Sequence, residues 1–197
     1  MYKKQLTFQK IVCLLAIISS VIVFIYSLGV MTDLYDSLYS TMMNPYDLTQ
    51  TTVSGSIIYY DMQGFNQLFV KLAIVLILTG CFLFVTNTNI RRRYYIGNIF
   101  ATILYVGANM GVAVWAHTQL EAYKAQFLTT VDFEALAAHA KLWKTVYTES
   151  TFWFDAHYVV FGITCVACVL LLINLFWKFS VMKAEKHLVD AGKGVAT

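Results

Sequence analysis

The sequence predicts an all-α integral membrane protein: a four-helix bundle of two transmembrane hairpins with an extracellular or periplasmic helical cap. Three observations predict it. Of the 197 residues, 59% are hydrophobic and only 13% charged, and the mean hydropathy is +0.64, far from the average soluble domain. Four apolar stretches each reach the roughly 20 residues a helix needs to cross a hydrocarbon core about 30 Å thick. Basic and acidic residues segregate to opposite ends of those stretches, as they do in a chain oriented across a bilayer.

The chain reads as one membrane domain, 1–197, whose first span covers about 8–30, "FQKIVCLLAIISSVIVFIYSLGV". Lys3, Lys4 and Lys10 precede this apolar run. It is longer than a signal-peptide core and lacks a small-x-small cleavage site, so a retained helix is expected. The external segment 31–64 starts as a continuation of that helix, stops at Asn44-Pro45 and passes through the turn-rich "TQTTVSGS", because proline prevents easy helix continuation.

Span two, 65–87, and span three, 94–116, are joined by a short loop holding Arg91, Arg92 and Arg93. No glycine or proline separates Gly111 from Gly162. Span three is therefore expected to run on to 128, about 52 Å at 1.5 Å per residue, some 20 Å beyond the hydrocarbon. Within the second external segment, 117–155, Asp132 has the character of an N-cap for a helix over 133–147. The apolar stripe of that helix is Phe133, Leu136, Ala140, Trp143 and Tyr147. Span four covers 156–178, and its helix is expected to continue to about Val189.

The two halves share an aromatic-aromatic-Asp approach to their second spans, at Tyr59, Tyr60 and Asp61 and again at Phe152 to Asp155. That layout fits a parallel duplication, and it equally fits two hairpins that each place aromatic residues at an interface.

Charge sets the expected orientation. Lysines at both ends and the arginine triplet fall on one side, whereas nine of the eleven acidic residues fall on the other. By the positive-inside rule both termini are cytoplasmic and the long segments external. The triplet is explained as a topology signal and contact for anionic lipid, so nucleic acid is not expected as a partner. All four cysteines, Cys13, Cys81, Cys165 and Cys168, lie in spans and no Asn-x-Ser/Thr acceptor occurs, which favours a bacterial plasma membrane over a secretory pathway rich in loop disulfides.

Few residues carry candidate chemistry. Cys165-Val-Ala-Cys168 places two thiols on one helix face, within the range a disulfide can bridge. Four spans with a Cys-x-x-Cys on the last one resemble the vitamin K epoxide reductase family, which implies a redox pair serving quinone reduction. That chemistry draws on thiols in an external loop, and this chain has none there. A thiolate near the bilayer middle is disfavoured, and cysteine packs well as a small apolar residue, so packing is the expected role.

Lys71, Asn109 and Asn174 are the intramembrane polar candidates. Lys71 either snorkels outward or pairs with Asp61 or Asp155. At the outer face, His117 and His157 with Asp61 and Asp155 form a candidate polar cluster of the residue types that bind divalent metals or handle protons. They come from separate segments with no fixed spacing, and no metal is assigned to them. Gly107-x-x-x-Gly111 is a close-packing pattern of membrane helices.

No phosphate loop, dinucleotide fingerprint, zinc-protease helix or nucleophile elbow occurs, and no motif implies a cofactor. The sequence therefore favours a small non-catalytic membrane subunit that supports a larger complex, such as a transporter. A thiol/quinone oxidoreductase using Cys165 and Cys168, or a small oligomeric transporter or channel, are the alternatives. The bilayer and other integral membrane subunits are the expected partners.

Overall fold

The computed structural model describes residues 2–42, 53–88, 95–144 and 147–194. These form five helices: α1 (Tyr2–Met42), α2 (Ile58–Thr88), α3 (Tyr95–Thr130), α4 (Phe133–Trp143) and α5 (Phe152–Gly194). No strand occurs among the described residues. The arginine triplet 91–93 and Asn44-Pro45 lie outside them.

Four helices are long and apolar enough to cross a membrane, over Lys4–Thr32, Ile58–Thr88, Gly97–Thr130 and Phe152–Ala184. Their outward surfaces are apolar too: Ile25, Leu78, Val85, Val114 and Phe176 are each more than half exposed. Helices that are apolar on every face need a hydrocarbon surround, and the chain is accordingly a membrane protein.

α1 does continue beyond residue 30, and α3 is unbroken past residue 128. Residues 58–64, read from sequence as external segment, are the first turns of α2. Asp132 is the N-cap of α4, its side chain accepting from the Ala135 N–H at 3.0 Å. α4 is shorter than the stretch 133–147, because Lys144 takes a left-handed conformation (φ 53°) and its N–H caps the Ala140 carbonyl. A lysine in that role leaves no mark in a sequence. α5 runs past Val189 to Gly194.

The chain packs as two compact units. The first comprises Met1–Ser20, Leu76–Met110 and Ile163–Thr197, and the second Val21–Val75 and Gly111–Gly162. In the first, each long helix contributes to one core: Val12, Cys13 and Ala16 from α1, Leu83 from α2, Ala101 and Tyr105 from α3, and Cys168 and Leu171 from α5. Tyr105 is fully buried, and its hydroxyl donates to the Ala16 carbonyl at 2.6 Å and meets the Ser19 and Ser20 hydroxyls at 3.1 and 2.9 Å. Polar groups that tie helices together in this way specify packing where apolar contact alone is indiscriminate.

The second unit has an aromatic core. Tyr26 of α1 lies against Phe69 and Phe161, and its hydroxyl donates to the Trp153 carbonyl at 2.7 Å. Phe127 of α3 gathers Tyr59, Phe133 and Phe154, with ring centroids 6.2, 5.0 and 5.4 Å away. Leu136 and Ala140 of α4 are buried. The turn before α2 is fixed to the α3–α4 elbow: the Asp132 N–H donates to the Ser54 carbonyl, and Gly55 sits so close to Thr130 that a Cβ would lie 1.7 Å from its carbonyl oxygen.

Candidate functional site

The polar cluster expected from His117, His157, Asp61 and Asp155 is partly assembled, with a different carboxylate at its centre. All of its members belong to the second unit. His117 and Glu121 stand one turn apart on α3, a separation of four that puts both on one face. His157 comes from the first turns of α5 and is 1% exposed. One ligand atom from each of these three side chains lies within 4.8 Å of those of the other two.

The hydrogen bonds fix which atoms converge. His157 Nδ1 contacts the Phe154 carbonyl oxygen, and because a carbonyl only accepts, Nδ1 carries the proton. In the neutral ring Nε2 is then left as a lone pair. That Nε2 lies 2.8 Å from His117 Nδ1 and 3.9 Å from Glu121 Oε1, so His117 donates to it. Glu121 Oε1 also accepts from the Tyr158 hydroxyl at 2.9 Å.

Asp155 has a separate task. Lys124 of α3 forms an ion pair with its Oδ1, and the Thr151 hydroxyl donates to its Oδ2 at 2.6 Å. The cation one turn beyond Glu121 is thereby matched by Asp155, an ion pair, whereas the neutral His157 ring and Glu121 stand 3.9 Å apart without forming one. Lys71 takes part in neither contact and is exposed on α2. Asp61 is exposed on α2, where its backbone carbonyl accepts from the Tyr123 hydroxyl at 3.3 Å.

In the first unit, Asn174 is buried and accepts from Gln5 at 3.1 Å; Gln5 also donates to Gln9 at 3.0 Å, and Gln9 donates to the Asn87 carbonyl. Asn98, in the amide orientation that suits both neighbours, donates to the Thr86 carbonyl at 2.7 Å and accepts from Lys178. Asn109 is buried and donates to the Tyr105 carbonyl one turn back, and its Oδ1 has no hydrogen bond among the described residues.

The four cysteines are free thiols: Cys13 and Cys168 are buried and Cys81 and Cys165 exposed. The Cys165–Cys168 face is thus split between the surface and the core. Gly107 and Gly111 each have open space where a Cβ would stand.

Sequence reasoning missed Glu121, Gln5, Gln9, Asn87 and Asn98. Glu121 had a readable signal, its four-residue spacing from His117 on a helix already expected to be continuous. The buried amides had none, since near the ends of apolar spans they are indistinguishable from solvated polar residues. Comparison with protein-family models, curated proteins and solved structures finds no match to this chain.

Proposed function

We propose that this chain is a small non-catalytic integral membrane subunit that docks to a larger membrane complex, such as a transporter, and supports it. The observation that carries this reading is the open glycine surface of α3. Gly107 lacks any neighbour within 4 Å of a Cβ position, as do Gly97 and Gly111. Phe100 and Ile103, close to Gly107 along the helix, are 59% and 58% exposed. Small-x-x-x-small surfaces let two membrane helices approach closely, and among the described residues nothing comes within 4 Å of a Cβ at Gly107 or Gly111. A helix from another subunit fits there.

The buried polar side chains agree with a scaffold. Tyr105 spends its hydrogen bonds on the Ala16 carbonyl and the Ser19 and Ser20 hydroxyls, and Gln5, Gln9 and Asn174 spend theirs on one another and on the backbone, an arrangement that holds helices in register. In this reading the chain lies in a bacterial plasma membrane with both termini cytoplasmic and the segments around 31–64 and 117–155 external, following the distribution of basic residues.

The test is purification of the tagged protein from its native membrane in mild detergent, followed by mass spectrometry of what accompanies it. A stoichiometric integral membrane partner that is lost with Gly107→Leu is expected. Recovery of the chain alone, or a partner indifferent to that substitution, overturns the reading.

A further inference from the structure

We propose that His117, Glu121 and His157 form a three-ligand site for a divalent transition metal of the zinc class, linking α3 to α5. Two imidazoles and one carboxylate are a donor set that zinc accepts, with a fourth position left for water or an anion. The closest contacts among the three select His117 Nδ1, His157 Nε2 and a Glu121 carboxylate oxygen as the donor atoms.

Three features distinguish this cluster from a chance grouping of polar residues. The first is distance. In a tetrahedron with metal–nitrogen bonds of about 2.0–2.1 Å, ligand atoms stand about 3.3 Å apart. The separations from His157 Nε2, 2.8 Å to His117 and 3.9 Å to Glu121, fall on either side of that value. Shifts of about half an ångström, within reach of side-chain rotation, would equalise them.

The second is the outer shell. His157 Nδ1 donates to the Phe154 carbonyl, an arrangement common for metal-bound histidine because it fixes the tautomer that aims Nε2 at the ion. Glu121 is steadied by the Tyr158 hydroxyl. The third is burial and charge. His157 is almost fully enclosed, and the nearby cation, Lys124, is held by Asp155, which leaves the Glu121 carboxylate to face the two rings. Binding replaces the proton on His117 Nδ1 by the metal ion while Nε2 of the same ring takes up a proton from solvent, so the ring changes tautomer, stays neutral and releases no net proton. The site then carries two neutral rings, one carboxylate and one dication.

The full-length chain, purified in detergent, stripped with chelator and freed of any polyhistidine tag, would be titrated with Co(II). The readouts are the ligand-field absorption of the bound ion and calorimetry, with Zn(II) added as competitor. One equivalent should bind, with the intense absorption of a four-coordinate site, and Zn(II) should displace it. Loss of an outer-shell partner alone weakens metal binding about 10–100-fold, so His117→Gln and Glu121→Gln should each weaken it by at least about 100-fold. Tyr158→Phe should weaken it about tenfold. His157 is left unaltered, because its buried ring would be missed by the fold whatever its role. No saturable Co(II) binding, or equal affinity in the parent chain and both ligand variants, overturns the proposal. Should a ligand variant lose its helical circular dichroism, Tyr158→Phe decides: weakened binding upholds the site and unchanged affinity overturns it.

Discussion

Single residues carry unusual weight where two backbones touch. Gly55 has φ +77°, and a Cβ there would lie 1.7 Å from the Thr130 carbonyl oxygen. Gly55→Ala therefore combines a left-handed backbone penalty of about 1–2 kcal/mol with a clash that only backbone movement relieves. We expect a clear fall in thermal unfolding temperature in detergent, larger than for Gly64→Ala, whose Cβ would meet open space. Lys144 is the reverse case. It occupies the left-handed region with a side chain that favours other conformations, so Lys144→Gly should stabilise the α4 terminus by about 1 kcal/mol, read from the same melts. Tyr105→Phe removes a hydroxyl shared by Ala16, Ser19 and Ser20. Because Ser19 and Ser20 also bond the Ala16 carbonyl, neither is orphaned, and a cost near the average of about 0.6 kcal/mol for membrane-helix hydrogen bonds is expected.

At the level of the helix, α4 depends on its caps. Asp132→Ala removes the acceptor for the Ala135 N–H, and losing such a cap costs about 1 kcal/mol. Amide hydrogen exchange should therefore quicken in the first turn of α4 and remain unchanged in α2. The same element marks how far sequence reasoning reaches. Its start was legible because an N-cap has a residue signature, and its end was not, because the left-handed cap fell on a lysine. The long reach of α3 was legible from the lack of any breaker beyond Gly111. The pairing of His117 with His157 depends on how α3 and α5 pack, which no local pattern encodes. Glu121 lay within reach, since its spacing from His117 needs only the helix. The buried amides around Gln5 and Asn174 become visible only when helices distant in sequence are placed side by side.

Across the whole molecule, composition and length were sufficient to identify four helices able to cross a membrane, because that requirement follows from bilayer thickness and hydropathy. The proposed orientation rests on charge alone, and labelling can test it. In a background without the four native cysteines, a cysteine introduced at position 142 should react with an impermeant maleimide on intact cells, and one at position 92 only after permeabilisation. Leu142 is 76% exposed, so a failure to label there would reflect sidedness and not burial. α3, with 36 residues, is about 54 Å long, well beyond the roughly 30 Å of hydrocarbon. One thickness of lipid cannot cover all of it.

The native thiols offer a way to find which part is covered. Cys81 and Cys165 face outward and Cys13 and Cys168 are sealed inside, so a small thiol-reactive fluorophore would attach at two sites and spare the core. In vesicles whose acyl chains carry bromine at a chosen carbon, the emission of each label would dim according to its depth. The unaltered chain thus carries two fixed gauges of its own immersion in the bilayer.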